Sequence, residues 1–278
     1  MLATRISIIE TVVVSADANA AARPRPIWHE WRAVSEFGWV GFNSVAVALA
    51  APQGPPRPVL VLPGFGAGDA TTLALRAFLR SIGHHPSGWG LGLNVGAANH
   101  IGEGIDRKLQ EMAQHYGCPI DIVGWSAGGI MARVLAANRQ ELVRQVISLG
   151  SPIVMNKDQT NIARLVTAVA RLAPQAQRRI DVNVVPVAST AIWTASDGIV
   201  PGRSCRQTVS KISENVEVRG SHCGLVANFA VLYAIADRLA CDSLNWQPFN
   251  PPKSLRWLYP SIENHLTAMA TAPAGAGK

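Results

Sequence analysis

Long apolar runs are missing from this sequence. No stretch approaches the roughly 18–20 residues that a bilayer-spanning helix needs, which excludes a conventional transmembrane helix. Charge is scarce too, at 15% of residues against 48% hydrophobic, the opposite of a disordered chain. Cysteine is thin: Cys118, Cys205, Cys223 and Cys241 are too few for a disulfide framework and show neither C-x-x-C nor Cys/His zinc spacing. The expectation is four free thiols in a reducing compartment, with one Cys205–Cys223 bridge as the alternative. Basic blocks are absent as well. The 25 Lys and Arg outnumber the 18 Asp and Glu, for a net charge of +7, but they are scattered and not interleaved with aromatics. That excludes a nucleic-acid face and leaves open only a mild preference for anionic membranes or acidic partners. At 278 residues, a chain can bury roughly three quarters of its unfolded surface without a staple.

A secretory leader is imitated but not completed. Ile6-Ser7-Ile8-Ile9 and Val12-Val13-Val14 are apolar, yet Glu10 interrupts them and Arg5 is the one basic residue before them. This predicts a cytoplasmic protein with a loosely ordered N-terminus. Residues 1–57 read as an N-terminal extension, punctuated by Pro-rich stretches at 23–27 and 51–58. Between these stretches, Trp28 to Ala50 reads as an apolar helical segment packed on the main domain, a membrane-surface or dimer contact being the alternative.

From Pro58 strands and helices alternate. Val59-Leu60-Val61-Leu62 is a short continuous apolar run, as in a strand covered on both faces. Helices are expected over Ala70–Ile82, Ile101–Tyr116, Ala127–Asn138 and Leu225–Leu239. Further strands are expected over Ser87–Asn94, Ile120–Gly124, Val146–Leu149, Ala191–Thr194 and Val216–Val218. The alternation predicts an α/β domain over 58–250, a mostly parallel central sheet with helices on both faces. Residues 251–278 read as a C-terminal tail, disordered from Thr271 onward.

Gly124-Trp125-Ser126-Ala127-Gly128 satisfies G-x-S-x-G with a strand before it and a helix after it. The turn at such an elbow is too sharp for bulky neighbours, and it lifts the serine hydroxyl over the sheet beside the positive end of the next helix. A serine hydroxyl needs a base to take its proton, and in this arrangement the chain order is Ser, then acid, then His. Only His222 and His265 follow Ser126. His222, in Gly220-Ser221-His222-Cys223-Gly224, ends a strand, whereas His265 has no strand before it; His222 is the expected base. Asp197, in Ser196-Asp197-Gly198, also ends a strand and is the expected acid. It would hold the imidazole tautomer and stabilise the imidazolium. The oxyanion hole needs two backbone donors. Ala127, after the nucleophile, is one; the loop Pro63-Gly64-Phe65-Gly66 supplies the other, from Phe65 first and Gly66 second. That loop lacks both the G-x-G-x-x-G and the G-x-x-x-x-G-K-[ST] phosphate patterns.

As a set, Pro63-Gly64-Phe65, the elbow, Gly150-Ser151-Pro152, Asp197 to Val200 and Gly220-Ser221-His222 resemble bacterial lipase-like enzymes of the α/β-hydrolase superfamily. The resemblance covers about residues 58–242. It implies a hydrolase sheet of the eight-stranded type, with Ser126 as nucleophile, Asp197 as acid and His222 as base. Many lipases carry His-Gly where this chain has Pro63-Gly64. Residues 153–188 exceed a simple connection and are a cap candidate, an ordinary crossover being the alternative. Gly66, Trp89 and Trp125 are candidate substrate contacts. The reading is a serine hydrolase that cleaves carboxylic esters of small-molecule or lipid type through an acyl-enzyme, with no metal or cofactor expected. Acyl transfer, thioester hydrolysis and a non-catalytic binding role on the same fold are the alternatives.

Overall fold

The structure is a computed structural model that describes residues 11–13, 30, 48–96, 99–154, 179–242 and 245–260. Its strands are β1 (Thr11–Val13), β2 (Pro58–Leu62), β3 (His85–Gly88), β4 (Ile120–Trp125), β5 (Val143–Leu149), β6 (Arg179–Asp181), β7 (Ala188–Thr194) and β8 (Ser213–Val218). Its helices are α1 (Leu73–Ser81), α2 (Asn99–Tyr116), α3 (Ala127–Asn138) and α4 (Phe229–Ala240). Six strands form one parallel sheet in the order β3-β2-β4-β5-β7-β8.

The strand sequences explain why this sheet sits in the middle of the molecule. All five residues of β2 are buried, and they alternate between two cores. Val59 and Val61 face Leu75 and Phe78 of α1 and Val231 and Ile235 of α4. Leu60 and Leu62 face Ile105 and Leu109 of α2 and Leu135 of α3. A strand apolar on both sides can be stable only between two helical layers. Right-handed crossovers in a parallel sheet then bring every strand's carboxyl end to the same edge. The registers align those ends: Leu62 lies beside Gly124, Trp125 beside Leu149, Leu149 beside Ile192, and Thr194 beside Val218. The chain runs from β2 to β3 on one side and then back to β4 on the other. A reversal of this kind, here between β2 and β4, is the place where open α/β sheets bind ligands.

Several expectations need correction. The strand expected at Ser87–Asn94 is β3, four residues long and earlier. Gly90 and Gly92 adopt φ of 74° and 77° and end it, while Pro86 is tolerated because β3 is a sheet edge. The helix expected over Leu225–Leu239 is broken at Asn228, whose side chain accepts from the amides of Ala230 and Val231 and so starts α4 afresh. Among the described residues the main sheet has six strands, where the resemblance implied the eight-stranded type. The N-terminus, expected to be loose, contributes β1, which pairs in parallel with β6. The domain also extends past 250. Phe249 and Tyr259 are core residues stacked edge to face at 4.8 Å, and the buried Tyr259 hydroxyl donates to the carbonyl of Ala230. As expected, none of the four cysteines forms a disulfide, so the alternative Cys205–Cys223 bridge is absent. Residues 155–178 of the cap candidate, most of the 28–50 segment and the tail from 261 lie outside the described residues. Among the described residues no helix is long and apolar enough to cross a membrane.

At the amino end of the sheet a buried ion pair fixes β4 to β5. Arg144 grips both carboxylate oxygens of Asp121 at 2.8 and 2.9 Å, and it also donates to the carbonyls of Leu239 and Cys241 at the end of α4. Burial pushes the Asp121 carboxyl up, and the Arg144 charge opposes that. Removing the guanidinium would leave a carboxylate sealed in the sheet with only the lesser influence of the Arg57 charge. Arg144→Met is therefore expected to cost about 3–5 kcal/mol in urea unfolding, with part regained when Asp121→Asn is added. A cost below about 1 kcal/mol would show that water reaches Asp121.

Candidate active site

The elbow forms where β4 runs into α3. Ser126 has φ 53° and ψ −121°, and it is the only non-glycine residue with positive φ among the described residues. Such a backbone costs an ordinary residue roughly 1–3 kcal/mol, so the surrounding structure must enforce it. The glycines make it sterically feasible. A methyl on Gly124 would collide with the backbone of Gly128 and Gly129, and one on Gly128 with the carbonyl oxygens of Leu62 and Pro63. The Ser126 amide donates to the carbonyl of Leu149 at 2.8 Å, pinning the turn to the end of β5. Ser126 makes no side-chain capping bond to α3, so its hydroxyl is not committed to the helix.

Asp197 and His222 meet at the ends of β7 and β8. Imidazole Nδ1 and Asp197 Oδ2 are 2.7 Å apart, and both residues are buried. The other carboxylate oxygen, Oδ1, accepts from the amides of Ile199 at 2.8 Å and Val200 at 2.6 Å. Asp197-Gly198-Ile199-Val200 is thus a turn folded around its own carboxylate, leaving one oxygen for the histidine. The two loops are tied to each other as well, since the hydroxyls of Thr194 and Ser196 both donate to the carbonyl of Gly220.

The imidazole lies over Gly150, the residue after β5. A methyl there would sit 3.1 Å from imidazole Nδ1 and 2.8 Å from Leu225, and Gly150 also holds φ 57°. Only glycine satisfies both demands. Trp125, the neighbour of the serine, donates its indole N–H to the carbonyl of His222 at 3.1 Å, with the two rings 5.8 Å apart. Serine and histidine therefore flank the Leu149-Gly150 step and are linked through Trp125. Among the described residues no hydrogen bond joins the Ser126 hydroxyl to the imidazole. Such bonds commonly tighten only when substrate is bound.

On the other side of the serine runs the Pro63–Gly68 loop. A methyl on Gly64 would lie 3.2 Å from Ser126 Cβ, so the loop passes directly beside the serine. The Gly66 amide is already spent on the carbonyl of Asn94 at 2.7 Å, which removes Gly66 as an oxyanion donor. The Phe65 amide makes no hydrogen bond among the described residues. Ala127 opens α3, where a helix offers its N–H no carbonyl of its own. Buried Asn94 staples this loop, donating from Nδ2 to Pro63 and from its amide to Ala67. Its position in Gly90-Leu91-Gly92-Leu93-Asn94 gave no motif to reveal it.

The two tryptophans expected at the substrate do other work. Trp89 is 1% exposed in the core beside Leu60 and Ile101, and its indole N–H donates to the carbonyl of Gly92. It lines no pocket. Trp125 is partly buried, with its polar edge used on the His222 loop.

The residue that sequence reasoning missed entirely is Glu30. Its Oε1 accepts from the amides of Gly198 at 2.9 Å and His222 at 3.1 Å, and its Oε2 from the amide of Cys223 at 2.9 Å. Burial alone would raise this carboxyl, but the three amides and the nearby His222 bring it below its ordinary value. Nothing in Trp28-His29-Glu30-Trp31 announces that role. Among the described residues no group of three or more His, Cys, Asp or Glu side chains is placed to hold a metal ion.

No protein-family model matches the chain, and no curated protein matches it. Solved structures do. One described with LipS and LipT, two metagenome-derived lipolytic enzymes, superposes with a TM-score of 0.51 at 14% identity, over 67% of this chain and 93% of that one. The monoacylglycerol lipase of Paleococcus ferrophilus gives 0.50 at 13%, over 68% and 96%. Lipase B of Aspergillus fumigatus is matched over only 57% of its own length, at 14% identity and a TM-score of 0.49. At such identities the likeness to the first two concerns architecture, and it agrees with the parallel six-stranded sheet and its helical layers. The chain has the α/β-hydrolase fold.

Proposed function

We propose that this protein is a serine hydrolase that cleaves carboxylic esters through an acyl-enzyme on Ser126. The observation that carries the proposal is the forced backbone of Ser126, held at φ 53° on the edge of the sheet where a buried Asp197–His222 pair is assembled. Strain at one polar residue beside an oriented imidazole has a mechanistic use and no evident packing use.

In this reading the imidazole takes the Ser126 proton as Oγ attacks the ester carbonyl carbon. The carbonyl electrons move to oxygen, and that oxyanion is met by the amides of Phe65 and Ala127. Each such donor is worth about 10²–10³ in rate. Collapse expels the alcohol, which takes the proton from the imidazolium. Water, activated by the same imidazole, then releases the acid. Asp197 holds the Nδ1 proton throughout, so that Nε2 remains the basic nitrogen. Phe65 is 41% exposed and Leu93 64% exposed, on loops joined by the Gly66 to Asn94 bond. This apolar rim suits an acyl chain better than a charged substrate.

The test is turnover of p-nitrophenyl esters of graded chain length by the full chain. Hydrolysis that favours apolar acyl groups is expected. No turnover of any ester, in protein shown to be folded, would end the proposal. Acyl transfer becomes the better reading if added alcohols divert most of the acyl product from acid to ester.

A further inference from the structure

We propose that Glu30 is a positioning residue that locks the acid loop and the base loop into one register. The inference rests on the proposed roles of Asp197 and His222. One carboxylate receives Gly198, the residue after the acid, together with His222 and Cys223, the base and its successor. These three amides come from the two loops that carry the acid and the base, which the Asp197–His222 pair also joins. Hydrogen bonds to an ionised acceptor are about twice as strong as neutral ones, and an acceptor shared between two loops opposes their separation.

The residue lies well before β2, outside the 58–250 unit read from the sequence, so Glu30 joins the site from outside that unit. Thr194 and Ser196 bind the Gly220 carbonyl and already limit how far the loops can part. They act one side of the histidine, through its preceding residues. Glu30 acts on the amide of His222 itself, which sets the direction in which the imidazole leaves the chain. Displacing a reacting group by about 1 Å can cost on the order of 10² in rate with no loss of binding. Glu30 touches no reacting atom, so its removal is expected to lower kcat and leave KM nearly alone.

The experiment compares the full chain with Glu30→Gln and Glu30→Ala. It measures kcat and KM on a p-nitrophenyl ester, and the downfield proton resonance of the His222 Nδ1–H bonded to Asp197. Glu30→Ala is expected to lose about 10–100-fold in kcat, with KM held within about twofold, and to broaden or lose the downfield resonance. Glu30→Gln, which keeps one accepting oxygen for Gly198 and His222, is expected to fall between it and the parent. Parental kcat in Glu30→Ala, or a loss carried by KM alone, overturns the proposal. If Glu30→Ala fails to fold by circular dichroism, Glu30→Gln decides: a severalfold loss in kcat supports the lock, and parental kcat overturns it. A parent that hydrolyses no ester sinks the proposed function instead. The resonance then judges Glu30 alone, since an unchanged signal in both variants overturns the lock.

Discussion

Replacing Ser126 with alanine is expected to lower kcat for ester hydrolysis by about 10⁴–10⁶ and to leave the fold intact. The two parts of this expectation have separate causes. In the proposed mechanism the rate falls because the attacking oxygen is removed, while the amides of Phe65 and Ala127 remain. What activity survives is the small residue that oxyanion stabilisation and binding can supply alone. Stability is spared because the serine side chain makes no capping bond to α3, and alanine suffers the same positive φ that serine already bears. A change in unfolding free energy within about 1 kcal/mol is expected, by urea titration. A variant that keeps a tenth or more of the parental kcat would show that another group attacks.

The second large effect concerns Asp197→Asn, and the structure fixes its sign. Oδ1 of Asp197 faces two amide donors, Ile199 and Val200. An asparagine must keep its carbonyl oxygen there, because its NH₂ group would meet N–H groups. The NH₂ is then aimed at imidazole Nδ1, which has to accept. The ring proton moves to Nε2, and the nitrogen that should take the serine proton becomes a donor. A loss of about 10⁴ in kcat is expected, with geometry and KM little changed. At alkaline pH part of the activity is expected to return, as hydroxide replaces the missing base. Parental kcat in this variant would show that the aspartate is a structural turn residue only, as its bonds to residues 199 and 200 alone would allow.

The difference between what the sequence revealed and what it hid follows from range. Short-range chemistry was legible. The Val59–Leu62 run announced a strand covered on both faces, and β2 is buried throughout. The glycines around Ser126 announced a turn too tight for side chains, which the backbone contacts of Gly124 and Gly128 explain. Strand ends located Asp197 and His222, because a parallel sheet delivers all its carboxyl ends to one edge. Hydrogen-bond partners that depend on a long excursion of the chain were not legible. Glu30 reaches His222 across 192 positions, and no local pattern distinguishes it from any other glutamate. Trp89 fell inside the strand expected over Ser87–Asn94, yet β3 ends at Gly88 and the ring is buried in the core. Gly66 stood as the second-choice donor behind Phe65, and no motif shows that the carbonyl of Asn94 claims its amide. The buried Tyr259 shows the same limit, since a Pro-rich approach concealed a residue that seals the core against α4.

The most direct measurement is the site of covalent modification by a fluorophosphonate. The protein is labelled in its folded state, denatured, cut with trypsin and sequenced by mass spectrometry, with His222→Ala treated in parallel. The adduct is expected on Ser126, within the tryptic peptide that runs from Leu109 to Arg133, and nearly absent from the His222→Ala protein. An active, labelled protein whose adduct lies on any other residue, or one whose Ser126 labels equally well without His222, would contradict the account.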